Sequence, residues 1–441
     1  MSSNGFRHGV HPPERKELTA AVPVRRMPFP EQVVLPLRQH AGKPAVPLVQ
    51  RGDRVERGDK VAAADGYMSV PMHASAAGIV TGIDWVPHPD GSMVEAVHIA
   101  VERHSAQLPR PRLVPEWESL AGDDVARAVQ EAGVVGLGGA AFPAHVKMAP
   151  PKDTTVEILI VNGAECEPYL TADHRVMVEY PERVHFGTRI MMRALGVGRA
   201  VIGVESNKPD AVEALRATIP SDLDISVESL TVKYPQGAEK MLIHAITGRE
   251  VPSGKLPVHV GAIVQNVGTV AAIAEVFETG LPLIERIVTV TGRGVNRPSN
   301  LIVPVGTRLR DVLDFCGGLN ESAAEIVFGG PMMGMVQADL DTPLTKGTTG
   351  IVVLTHEETS ARATLPCIRC GRCVDACPVF LMPQQLGALA QLGRYEDMQQ
   401  WNLADCMLCG SCSYVCPSNI PLSQMFALSK AALRRPKAKV A

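Results

Sequence analysis

Eight of the chain's ten cysteines lie in two short C-terminal runs, CIRCGRCVDACP from Cys367 to Pro378 and CMLCGSCSYVCP from Cys406 to Pro417. Each run spaces its thiols C-x2-C-x2-C-x3-C and ends in proline. Thiolates are soft ligands, and four of them brought together hold either an iron–sulfur cluster or a zinc ion. A secreted disulfide scaffold would spread its cysteines along the chain, whereas clustered thiols in a reducing compartment point to metal. Zinc sites usually combine two ligand pairs, and two intact quartets closed by Cys-Pro fit clusters better.

The spacing resembles the bacterial ferredoxin run, whose fourth cysteine ligates the other cluster. One [4Fe–4S] cluster would use Cys367, Cys370, Cys373 and Cys416, and the other Cys406, Cys409, Cys412 and Cys377. Two clusters with exchanged ligands lie near one another and form a short one-electron wire. The remaining cysteines, Cys166 and Cys316, read as small packing residues.

A wire needs an electron source. GVVGLGGAAFPAHVKM runs from Gly133 to Met148, and Gly136, Gly138 and Gly139 allow close backbone approach to a ligand, with Lys147 as an added cation. A tight structural turn is the plain alternative. The run is not a G-x-x-x-x-G-K-[ST] loop, which disfavours nucleotide hydrolysis. Next comes VNGAECEPYLTADHR, in which Asn162, Glu165 and Glu167 follow the apolar stretch EILIV and so stand at a strand C-terminus. Here a solvated acidic loop is the alternative. Two carboxylates also suit acid–base hydrolysis, but no nucleophile or metal-ligand set accompanies them.

The elements that must position these groups read as several domains. At 441 residues the chain has room for about three, at roughly 150 residues each. Residues 1–40 read as an extended N-terminal arm. Residues 41–104 alternate small apolar runs with Gly-Asp and Asp-Gly turns, a β sandwich similar in pattern to lipoyl-type domains. Its tip-like stretch DGYMSVP has no lysine to modify, so a structural role is expected. Residues 120–285 alternate strands and helices, among them a proline-started helix in KPDAVEALRAT, which predicts a parallel sheet. Residues 286–350 form a small α+β module with a helix in TRLRDVLDFCGG closed by Gly317. Residues 360–425 hold both cysteine runs around a mainly helical gap, and residues 426–441 make a basic tail. The fold class is thus multidomain α/β and α+β.

Hydrophobic residues are 46%, charged residues 20% and aromatics 4%, with a net charge of −3. No basic field argues for nucleic acid. No apolar run is long enough for a transmembrane helix, and the N-terminus lacks the apolar core of a signal peptide, so a cytoplasmic location is expected.

GLGGAAFPAHVK followed by NGAECEPYLTADHR resembles the NADH-binding flavoprotein subunit of respiratory complex I and its relatives. With HPPERK, VLPLRQHAGKPAVPLV, YPQGAEKMLI, QNVGTVAAI and the double cysteine run in that order, the chain resembles the C subunit of the Rnf electron transport complex more closely still, over nearly its whole length. The resemblance implies a Rossmann-like domain for FMN and NADH, an SLBB-like α+β module and a two-cluster ferredoxin-like domain. It implies that Gly136, Gly138, Gly139 and Lys147 hold the FMN phosphate, with Asn162 and Glu165 near the flavin. Glu167 would face the nicotinamide and, with Glu165, carry the catalytic role. Tyr234, Gly237 and Glu239 would line the same pocket, and Asn266 and Thr269 would add the next strand end.

The implied activity is electron transfer between NADH, FMN and two [4Fe–4S] clusters, onward to membrane partners and indirectly to ferredoxin. It is coupled to Na⁺ or H⁺ movement, from a peripheral position on the cytoplasmic face of a bacterial inner membrane. The family usually has glycine where Ala141 and Ala238 stand, and a β-carbon there narrows the pocket or disfavours a positive φ. A soluble cobalamin reductase shares the flavin and ferredoxin modules. A non-catalytic iron–sulfur adaptor with an empty flavin pocket is the reading from another class.

Overall fold

The parallel sheet that carries the pocket has four strands, in spatial order Asp224–Leu230, Arg199–Glu205, Ile158–Gly163 and Ala262–Asn266. These are seen in a computed structural model that describes residues 5–109, 116–151, 153–359 and 363–434. The central strands are apolar on both faces because helices cover both sides, as βαβ crossovers require. In chain order the first strand, Ile158–Gly163, stands inside the sheet, with the second and third to one side and the fourth to the other. The direction in which successive strands are added therefore reverses between Ile158–Gly163 and Ala262–Asn266, which themselves run parallel. The crevice outside their carboxyl ends is where such sheets bind ligands. Asn162 and Asn266 are register partners at that edge.

Two helices behind the sheet pack unusually closely. Pro181–Leu195 starts on proline and ends at Gly196 with a φ of 67°. It crosses Val267–Thr279 at Gly187, where a β-carbon would lie 2.0 Å from the Val270 carbonyl oxygen. Glycine is the residue that permits this approach. The helix expected in KPDAVEALRAT spans Pro209–Ala217.

The N-terminal sandwich pairs a four-stranded sheet (Gln32–Pro36, Met93–Val101, Gly78–Pro87, Arg54–Val55) with a three-stranded one (Val46–Pro47, Lys60–Ala63, Met72–His73). Val33, Val61, Val80, Val97 and Ile99 are fully buried in its core. The DGYMSVP tip is used structurally, because the Tyr67 carbonyl meets His145 Nε2 at 2.8 Å and the two rings meet edge to face. The 1–40 segment, expected as an extended arm, contributes strands to two domains. Gln32–Pro36 pairs within the sandwich, and Val24–Arg26 pairs in parallel with Ser299–Pro304 of the α+β module.

That module is a six-stranded sheet in the order Val24–Arg26, Ser299–Pro304, Glu285–Thr291, Gly350–Thr355, Ala323–Phe328, Met335–Val336. The helix Leu309–Phe315 packs on it and is followed by Gly317 at a φ of 83°.

In the C-terminal domain the sequence repeat is also a backbone repeat. Arg369 and Leu408 stand at equivalent places with φ of 55° and 58°, and Gly371 and Gly410 cap the short helices Arg372–Asp375 and Ser411–Tyr414 with φ of 79° and 78°. Phe380 and Asn419 match likewise at 56° and 51°. Longer helices, Pro383–Gln391 and Leu422–Arg434, follow each run and share a core with Met398 and Leu403. Of the expected tail 426–441, the part through Arg434 continues the last helix, and residues 435–441 lie outside the described residues.

Candidate flavin and iron–sulfur sites

A cavity of about 340 Å³ opens at the switch point of the parallel sheet. Of the expected residues, Gly138, Asn162, Glu165, Glu167, Tyr234, Gly237, Glu239 and Asn266 line it. Asp173, Arg286, Met407 and Cys409 complete much of the wall. A second cavity of about 520 Å³ adjoins it and shares Gly138, Glu167, Met333 and Thr349. Glu167 therefore stands where the two spaces meet.

The loop after Ile158–Gly163 is held from beneath by two buried lysines. The Lys16 ammonium donates to the carbonyl oxygens of Glu165 at 3.0 Å and Glu167 at 2.9 Å, and also to that of Leu170. Lys208 donates to the Ala164 carbonyl at 2.7 Å and to Glu205 Oε2 at 3.1 Å. Burial holds Lys16 below the ordinary lysine range, and the Glu165 carboxylate opposes that shift. These contacts fix a loop in which Glu165 has a φ of 48°, a left-handed conformation that costs a non-glycine residue.

The two acidic side chains of that loop face different partners. The Glu165 carboxylate accepts from the backbone N–H groups of Asp173 at 2.7 Å and His174 at 3.2 Å, at the start of the helix Ala172–Glu179. That is helix-end capping, favoured by the helix dipole. The Glu167 carboxylate accepts from the Met332 N–H at 3.0 Å, and the Tyr234 hydroxyl stands 3.5 Å from its other oxygen. Burial pushes Glu167 up to about 7, against the pull of the Met332 and Met333 amides. Asp173 is also raised to about 7, by burial and then by the Glu165 charge, although Asn266 Nδ2 donates to it at 2.6 Å.

The glycine-rich turn closes on itself through the Gly136 N–H and the Phe142 carbonyl at 2.7 Å. Gly138 lies on Asn266, so its missing side chain keeps the backbone close to the cavity. Gly139, at a φ of 101°, lines the larger neighbouring space, and Gly136 lines neither. Ala141 has a φ of 47°, whereas Ala238 has an ordinary φ of −67°. Lys147 is paired with Glu239 and donates to the Val264 carbonyl at 3.0 Å. Thr269 stands behind the wall, where its Oγ1 accepts from the Leu137 N–H at 2.8 Å.

The residues present fit a flavin nucleotide. The cavity offers a close-approach glycine backbone, two asparagines at adjacent strand ends and a mostly apolar wall. Arg286, buried in that wall and held below its usual range at about 10, has an Nε without a hydrogen-bond partner among the described residues.

The cysteines also fall into two sets. Cys367, Cys370, Cys373 and Cys416 ring one cavity of about 330 Å³, and Cys377, Cys406, Cys409 and Cys412 ring another. Each set combines three thiols of one run with the fourth of the other. Among the described residues no three His, Cys, Asp or Glu side chains converge on a single-ion position. The first set lines an open space, whereas the second closes around a tight one of about 20 Å³.

Several residues that form or brace the wall carry little or no signal in the sequence. Lys16 sits in HPPERK and Asp173 in TADHR, but neither has a spacing that marks it. Lys208 and Arg286 flank apolar strands and have no local signal at all.

Four family models match consecutive parts of the chain: the RnfC barrel sandwich hybrid domain (4–104), the Nuo51 FMN-binding domain (129–275), the SLBB domain (287–336) and a 4Fe-4S dicluster domain (363–420). The C subunit of the proton-translocating ferredoxin:NAD(+) oxidoreductase complex of Clostridium ljungdahlii is 45% identical, over 91% of this chain and 88% of its own. The C subunit of the Na(+)-translocating ferredoxin:NAD(+) oxidoreductase complex of Acetobacterium woodii is 44% identical, over 91% and 90%. The C subunit of the ion-translocating oxidoreductase complex of Rhodobacter capsulatus is 43% identical, over 98% and 84%. The crystal structure of an air-oxidized NAD+-reducing [NiFe]-hydrogenase shares the fold, with a TM-score of 0.50 at 19% identity over 72% of this chain and 67% of that one. A fold built of these four modules in this order, with relatives of this identity along nearly its whole length, belongs to the RnfC family, the C subunits of ion-translocating oxidoreductase complexes.

Proposed function

We propose that the chain is the NADH-handling subunit of a membrane-bound, ion-translocating NADH:ferredoxin oxidoreductase, peripheral on the cytoplasmic face of the membrane. Among the described residues no helix is long and apolar enough to cross a membrane, and ion movement is assigned to partner subunits. FMN held here would supply hydride exchange with NADH, and two [4Fe–4S] clusters held by the cysteine quartets would supply one-electron transfer.

The chain's own residues hold and orient these groups. Gly138, Asn162 and Asn266 line the flavin cavity from the glycine turn and two strand ends. Lys147 and Glu239 close its margin as an ion pair, Tyr234 and Gly237 form the side toward the second cluster, and Thr269 braces the glycine turn. Glu167, shared by both cavities, is placed to meet the nicotinamide. Glu165 acts by positioning, since its carboxylate caps the helix behind the loop. Cys377, Cys406, Cys409 and Cys412 hold the cluster nearer the flavin, and Cys367, Cys370, Cys373 and Cys416 the other.

One observation carries this reading. Met407 and Cys409 of the second cysteine run line the same cavity as Asn162 and Asn266 of the parallel sheet. The flavin cavity and the entry to the wire share a wall. Near-full-length relatives favour this role over the soluble cobalamin reductase and the non-catalytic adaptor. The test is an anaerobic NADH titration of the FMN- and iron-reconstituted chain, following flavin absorbance and cluster EPR together. Bleaching of the flavin with appearance of a reduced-cluster signal is expected. Clusters that assemble beside a pocket that takes no flavin would return the chain to an adaptor role.

A further inference from the structure

The N-terminal segment that carries HPPERK touches three separate parts of the molecule within a few residues. We propose that the segment 6–16 is a strap that positions the second-cluster loop against the flavin-cavity wall, so that electron passage between them depends on it. The inference rests on the electron-transfer reading above.

At its centre Val10 pairs with Tyr234 through two backbone hydrogen bonds, each 2.9 Å. Gly9 allows this pairing, with a φ of +81° and a would-be β-carbon 2.6 Å from the Tyr234 carbonyl oxygen. Lys233 Nζ donates to the Phe6 carbonyl at 3.0 Å. Toward the C-terminal domain, the His8 ring meets the Phe380 ring edge to face at 4.7 Å, just after Cys377. Toward the flavin cavity, the Glu14 carbonyl accepts from the Tyr169 N–H at 2.8 Å, and Lys16 holds the acidic loop.

Val10 and Tyr234 also form one apolar cluster with Ala376 and Cys409, flanked by Cys166, Met332 and Met407. Strap, flavin-cavity wall and both cysteine runs therefore share one packed centre. Beside this centre and the buried Tyr234–Cys409 hydrogen bond, ties such as Ser253 to Asp405 at 2.6 Å and Lys240 to Asp405 at 3.9 Å are polar and lie at the exposed or half-buried margin. Exposed pairs contribute little to holding two surfaces together. Domains move relative to one another unless a large apolar interface holds them. The buried strap cluster supplies that interface.

The test uses the full reconstituted chain beside Gly9→Val and a chain lacking residues 1–12. Hydrogen exchange reads the docking directly. The Tyr234 amide, which donates to Val10, and the Cys406–Tyr414 segment should exchange about tenfold faster in both variants, with the Ile158–Gly163 strand unchanged. In rapid mixing with NADH, the flavin band should bleach at the parent's rate while the cluster signal lags severalfold behind it. Unchanged exchange at Tyr234 and the Cys406–Tyr414 segment, or clusters that keep pace with the flavin in both variants, would overturn the strap. If the parent chain itself shows no bleaching, the hydride reading fails, and the exchange measurement still decides the strap.

Discussion

The Tyr234 hydroxyl donates to the Cys409 carbonyl oxygen at 2.7 Å, and both residues line the cavity at the sheet's switch point. Burial raises the Tyr234 phenol above its ordinary range, so it remains a neutral donor there. The second cysteine run is thus anchored on the flavin side, while Cys367 and Cys370 of the first run are exposed. On the proposed function, that polarity would put the second cluster beside the flavin and the first toward the exit.

The exchanged ligands make a sharp expectation. Cys377 lies in the first run but rings the second cavity, and Cys416 does the reverse. Cys377→Ala should lose the second cluster, about half the iron, and all NADH-linked cluster reduction. Cys416→Ala should lose the first cluster and keep reduction of the second. Iron analysis and EPR distinguish these from the outcome in which each variant loses the cluster of its own run.

Glu167 sets a pH dependence of stability. Its carboxyl rises from 4.5 to about 7 on folding, so between those values the folded chain holds a proton that the unfolded chain has lost. Stability from this group therefore falls as pH rises through that window. Glu167→Gln removes the titration. Relative to the parent, the variant should gain up to about 3 kcal/mol between pH 4.5 and pH 8. Thermal midpoints of the α/β domain at several pH values check this, and a gain toward acid would contradict it.

Lys16→Met leaves the Glu165, Glu167 and Leu170 carbonyls without their shared donor. A loss of about 3 kcal/mol is expected, with weakened FMN retention. The exposed Lys43→Met, as a control, should stay within about 0.5 kcal/mol of the parent. Equal midpoints for the two variants would remove the structural role given to Lys16.

Ala141 sits in the left-handed region at a φ of 47°. Ala141→Gly relieves that strain and adds unfolded-state freedom, for a net stabilisation of up to about 1 kcal/mol. The glycine should also hold FMN at least as tightly, read by flavin fluorescence on dilution. Ala238, at a φ of −67°, offers no such relief. A destabilised Ala141→Gly chain would show that the methyl packs usefully against the Gly347 loop, which it approaches.

The chemistry that depends on close spacing was legible before any fold. Closely spaced thiols can share one metal centre, and the resemblance of each run to the bacterial ferredoxin run implies the exchanged quartets that line the two cavities. Alternating apolar strands and helices likewise predict a parallel sheet with ligands at its carboxyl edge, because local propensity and periodicity act within a few residues. Tertiary structure alone decided how side chains along those runs are used. Glu165 and Glu167 are two residues apart, yet one caps a helix and the other stands between two cavities. Lys16 reaches its carbonyl partners across 149 residues of chain. Lys208 and Arg286 look like ordinary strand-flanking charges until packing buries them. Such contacts follow from which surfaces meet when distant segments pack, and no local pattern encodes that meeting.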